Sequence, residues 1–71
     1  MTIDYLVKKE TELLSIKDLE EQKEFIRELA VEWQASETNY SYEELVEFES
    51  FFKNYAGKFG LSEEFEENGI F

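Results

Sequence analysis

Little in the first 56 residues of this chain interrupts a helical reading. Proline is absent, and the three glycines, Gly57, Gly60 and Gly69, all fall within the last fifteen residues. Proline removes a backbone donor and clashes with the preceding turn, while glycine costs a helix about 1 kcal/mol relative to alanine, so their absence leaves the helix uninterrupted. Good helix formers, Glu, Leu, Lys and Ala, dominate instead, and no stretch alternates cleanly with the two-residue period of a strand. The expected class is all-α.

Apolar spacing and cap residues divide the chain. A first helix is expected over about 3–14, with Thr2 as N-cap and an apolar stripe of Ile3, Leu6, Val7, Leu13 and Leu14 that Glu10 interrupts. A second is expected over about 17–35, with Ser15 available as its cap and Asp18, Glu20 and Glu21 suiting the positive end of the helix dipole. Its buried face reads as Leu19, Ile26, Leu29, Ala30 and Trp33, flanked by Phe25, with Val31 opposite. A polar loop, Ser36-Glu37-Thr38-Asn39, follows.

The strongest start signal is Ser41-Tyr42-Glu43-Glu44, which places Ser at the N-cap and Glu three residues on, a capping box. The helix it opens, about 42–58, carries Leu45, Phe48, Phe52, Tyr55, Ala56 and Phe59 on one face, with Glu43, Glu47, Ser50 and Asn54 opposite. Gly57 or Gly60 is expected to end it. A short turn over 63–67 and a tail, Gly69-Ile70-Phe71, that folds back or docks complete the reading. Three amphipathic helices with short polar connections imply a small three-helix bundle with a short fourth helix, as one domain over residues 1–71.

Size bears on how such a fold is stabilised. A chain of 71 residues buries only about 60% of its unfolded surface, and with neither cysteine nor histidine it has no disulfide and no ready metal site to supplement the core. Twelve aromatic rings must supply much of the burial, and a homodimer stays open. Charges break every apolar run near Met1, which implies neither a signal peptide nor a spanning segment, and a cytoplasmic location is expected.

Charge decides the kind of partner. Eighteen acids against seven bases give a net charge of -11, which disfavours nucleic acid and anionic lipid and favours basic protein surfaces. Residues 36–71 hold nine acids and two bases, against nine and five in residues 1–35, so the field leans toward the C-terminal half. Without histidine or cysteine, the usual neutral-pH base and strongest nucleophile are missing, and no phosphate loop, Gly-x-Ser-x-Gly elbow or metal-binding His pair occurs, so catalysis, cofactors and metals are not expected. Glu63-Glu64-Phe65-Glu66-Glu67-Asn68 offers oxygen ligands but lacks EF-hand spacing, and reads as a solvated acidic face.

The candidate partner-binding residues are Glu43, Glu44, Glu47, Glu49, Glu63, Glu64, Glu66 and Glu67, with Tyr42 and Phe51 as aromatic anchors. Phe51 lies off the centre of its helix's apolar face, where it either packs against the tail beneath Phe65 or Phe71 or anchors a partner; Tyr40 and Tyr42 bracket the cap. Carboxylates on rigid helices can occupy a basic channel in place of phosphates. In size, charge and helical content the chain resembles, as a class, the small acidic inhibitors that phages and mobile elements encode against host nucleases and defence systems. That resemblance implies an inhibitor or adaptor that occludes a basic, nucleic-acid-binding surface, with DNA mimicry as one form. The alternative is an assembly protein that self-associates through its aromatic face.

Overall fold

The computed structural model describes residues 1–36 and 39–70. The chain is all-α, with helices α1 (Ile3–Ser15), α2 (Leu19–Ala35), α3 (Tyr42–Phe59) and α4 (Ser62–Glu67), and no strand among the described residues. The short fourth helix is as expected. Two compact units result, Met1–Thr38 and Asn39–Phe71.

In the first unit α1 packs on α2. Thr2 caps α1 as expected, its hydroxyl accepting from the Tyr5 N–H at 3.1 Å. Ser15 does not cap α2. It ends α1, donating back to the Glu12 carbonyl at 2.7 Å, and Asp18 takes the cap by accepting from the N–H groups of Glu20 and Glu21. A carboxylate directly before the first turn also meets the positive end of the helix dipole, so α2 starts at Leu19 and not at 17. The Gln22 side chain donates to the Ile16 carbonyl at 2.8 Å and ties the turn down.

Leu6, Leu13, Ile26, Leu29 and Ala30 are buried in this unit. Three residues read as buried are not: Val7, Leu14 and Leu19 are exposed. Val7 and Leu14 each follow a buried leucine by one residue, which rotates them about 100° off the packed side. Leu19 shares the angular position of Ile26 and Ala30, but it opens α2, where no earlier turn extends the packed face. Trp33 and Phe25 are half-buried, and Val31 is exposed, as its position implies.

On the outside of the same unit the Tyr5 hydroxyl donates to Glu32 Oε1 at 2.6 Å, joining α1 to α2. Lys9 lies over the rings of Tyr5 and Phe25 and pairs with Glu12 at 3.3 Å. The hydrogen bond to Glu32 raises the Tyr5 pKa above its ordinary 10.0, because a donated proton is harder to remove beside a carboxylate.

In the second unit Ser41 and Glu44 form the expected capping box, with the Glu44 N–H donating to Ser41 Oγ and the Ser41 N–H to Glu44 Oε1. Phe48, Phe52, Tyr55 and Ala56 form the buried face of α3. Gly60, not Gly57, ends the helix. Its φ of 72° lies in the left-handed region that glycine enters without strain, and the Leu61 N–H returns to the Ala56 carbonyl at 2.7 Å. The same device closes α4: Gly69 also has φ 72°, its N–H reaches the Glu66 carbonyl, and the Ile70 N–H reaches the Phe65 carbonyl at 2.9 Å. In both cases the apolar residue after the glycine, Leu61 or Ile70, is buried. The tail therefore folds back at Ile70, as one of the two expected outcomes; Phe71 lies outside the described residues.

The glycine inside α3 and the one that caps it give opposite expectations. Gly57 is helical with open space where a Cβ would stand, so Gly57→Ala should raise stability by about 0.5–1 kcal/mol. Gly60 has equal room but a left-handed backbone, so Gly60→Ala should lower stability by roughly 1–2 kcal/mol. Urea unfolding followed by circular dichroism checks both signs.

The Tyr5–Glu32 bond predicts a pH dependence. Because the folded-state pKa is raised, the bond's contribution is complete below the ordinary tyrosine value and is lost as the pH rises through the raised one. Tyr5→Phe should therefore lower stability at neutral pH, and the gap to the wild type should close above pH 10.0. Urea midpoints of both proteins at the two pH values test this.

Candidate functional site

The candidate residues all lie in the second unit. Starting α3 at its capping box determines where each side chain of the first two turns points. Glu43, Glu47 and Glu49 are exposed. Glu43 and Glu47 lie one turn apart, their Cα atoms about 6 Å apart along the axis, and share one flank of the helix. Glu44 has a structural task, since its carboxylate holds the Ser41 N–H at 3.1 Å, and it is half-buried. In α4, Glu63, Glu66 and Glu67 are exposed and Glu64 is half-buried. Glu63, Glu66 and Glu67, at i, i+3 and i+4, share one face of this short helix, with Glu64 about 100° around from Glu63.

The two proposed anchors differ. Tyr42 is 81% exposed, the most open of the large apolar side chains among the described residues. Phe51 is half-buried within its own helix, its ring 5.2 Å from Phe52 edge-on and 4.8 Å from Tyr55. Tyr40 packs on Phe48, with ring centroids 4.9 Å apart. Tyr42 is thus the projecting ring.

Two further exposed residues belong beside Tyr42, one expected on the buried face and one outside it. Leu45, expected on the buried face, is 38% exposed, and Val46 is 41% exposed. At i+3 and i+4 from Tyr42 they are its helical neighbours, so the three form a short apolar ridge beside the carboxylates. Val46 was detectable: it stands about 120° from Phe52, outside the apolar arc, as Val31 does in α2. Leu45 lies within the arc, and only the exposure of the first turns reveals it.

The first unit has a shallow groove of about 430 Å³ lined by Met1, Tyr5, Glu32, Ala35 and Ser36. Its phenol and carboxylate hydrogen-bond each other, an arrangement that joins α1 to α2. Among the described residues no acidic cluster is arranged to hold a metal ion, and no helix is long and apolar enough to cross a membrane. No protein-family model, curated protein or solved structure matches the chain.

The acids of α3 therefore divide by task. Ser41→Ala should cost about 1 kcal/mol through loss of the cap. Glu47→Gln should instead raise stability by a few tenths of a kcal/mol, because it relieves repulsion from Glu43 one turn earlier. Urea midpoints measured at low ionic strength distinguish these; a loss on Glu47→Gln would mean that this outer carboxylate is structural.

Proposed function

We propose that the chain is a binding module that acts in the cytoplasm, without catalysis, by occluding a basic surface of a larger protein. The observation that carries this reading is Tyr42, 81% exposed at the start of α3, with the exposed carboxylates Glu43, Glu47 and Glu49 following over the next two turns. A large ring held on a rigid helix loses little entropy on docking, and neighbouring acids steer cationic partners toward it. An inhibitor or adaptor on a nucleic-acid-binding protein suits the chemistry, since such proteins carry basic patches with apolar margins.

Local docking is favoured over extended DNA mimicry. The acids of α3, Glu43, Glu44, Glu47 and Glu49, are confined to its first half, and the next charged residues along the helix are Lys53 and Lys58. A phosphate strand carries a charge every 3.4 Å or so without cations between them. Self-association through the aromatic face would need rings that the chain already buries, since Phe48 and Phe52 are 0% exposed and Tyr55 6%.

Charge reversal tests the proposal. Immobilised protein should retain basic proteins from a cell extract and release them along a salt gradient. The triple variant Glu43→Lys, Glu47→Lys, Glu49→Lys should bind them about tenfold more weakly, as expected for three exposed pairs of ~0.5 kcal/mol each, and with a flatter salt dependence. Its helicity should be unchanged by circular dichroism. An identical elution profile for the two proteins would sink the proposal.

A further inference from the structure

We infer that the ridge formed by Tyr42, Leu45 and Val46 receives a basic amphipathic helix, an inference that rests on the binding-module reading above and names the partner's form. Two independent features meet at the first two turns of α3. One is apolar: three exposed side chains at i, i+3 and i+4, 81%, 38% and 41% accessible, make a ridge about one helical turn long. The other is charge: Glu43 and Glu47 run along one flank of the ridge, and exposed Glu49 stands one turn beyond Leu45 and Val46. A surface that is apolar along its centre and anionic at its edge complements a helix with an apolar stripe bordered by Lys or Arg.

Other occupants fit less well. An extended peptide docks by adding to an exposed sheet edge, and no strand occurs among the described residues. Anionic lipid and nucleic acid are repelled by the same carboxylates that would attract a basic helix. A second copy would bring like faces together against a net charge of -11 on each chain. A proline-rich segment needs a groove walled by several aromatic rings, whereas Tyr42 projects while Tyr40 packs on Phe48 and Phe51 on Tyr55. For a helix, ridge-into-groove packing on α3 needs only side chains spaced three and four apart, which is how Tyr42, Leu45 and Val46 are spaced.

The test uses the full chain and two synthetic peptides by titration calorimetry at low and moderate salt. One is a Leu/Lys peptide of about five helical turns with its leucines on one face; the other has the same composition permuted so that no face is apolar. The amphipathic peptide should bind about tenfold more tightly than the permuted one. That preference should disappear in the double variant Tyr42→Ser, Val46→Ser, whose folding is verified by circular dichroism and whose carboxylates are untouched. Equal, salt-sensitive binding of both peptides to the wild type would overturn the amphipathic-helix inference and leave the acidic module standing. A preference that survives in the double variant would overturn the placement on α3. If neither peptide binds, this inference and the module reading fall together.

Discussion

Repulsion among eighteen carboxylates is the constraint that every stabilising feature of this chain has to overcome. With seven basic residues, ion pairing cannot neutralise it, and exposed pairs such as Lys9–Glu12 contribute at most about 1 kcal/mol each. The stronger terms lie elsewhere. Side-chain caps at Thr2, Asp18 and Ser41 each hold a helix start at roughly 1 kcal/mol, and each buried leucine or phenylalanine contributes about 1.5–3 kcal/mol. Against like-charge pairs of a few tenths of a kcal/mol each, these terms win, so the surface can carry many acids at modest loss of stability.

Placement of the acids makes the loss smaller. Asp4, Glu20, Glu21, Glu43, Glu44, Glu63 and Glu64 all sit in first turns, where the positive end of the helix dipole favours negative charge. Asp18 and Glu44 go further and bind backbone N–H groups directly. Part of the acidity that looks functional in a composition is therefore used by the helices themselves, and a carboxylate's place in its helix, more than its number in the sequence, decides whether it is available to a partner.

Local signals were legible in the sequence, and helix ends and rims were less so. The capping box at Ser41–Glu44, the cap at Thr2 and the buried run of Phe48, Phe52, Tyr55 and Ala56 can all be read from spacing, because each involves residues a few positions apart. The cap of α2 was misplaced because Ser15 and Asp18 are both competent N-caps, and the choice depends on Ser15 being used to finish α1. The choice between Gly57 and Gly60 likewise rests on which glycine precedes an apolar residue that can be buried. Leu61 supplies that after Gly60, and Ile70 does so after Gly69. Val7, Leu14, Leu19 and Leu45 were misjudged because hydrophobic periodicity gives an angular position and says nothing about how far a packed face extends along or around the helix.

That error is the one that matters for the surface. Read by periodicity, α3 divides into an apolar face and an acidic face, with Tyr42 and Phe51 as isolated aromatic anchors among the carboxylates. With Leu45 and Val46 exposed beside Tyr42, the same turns become a mixed surface, and charge and apolar contact then have separate roles. Exposed carboxylates act over a distance of about 10 Å at moderate salt and mainly raise the rate of encounter, while desolvation of a ring and two aliphatic side chains acts on contact and mainly slows release. A purely acidic surface would bind cations fast and with little discrimination. In the proposed binding module, an apolar ridge at helical spacing would make binding depend on the geometry of the partner's apolar side chains as well as on its charge.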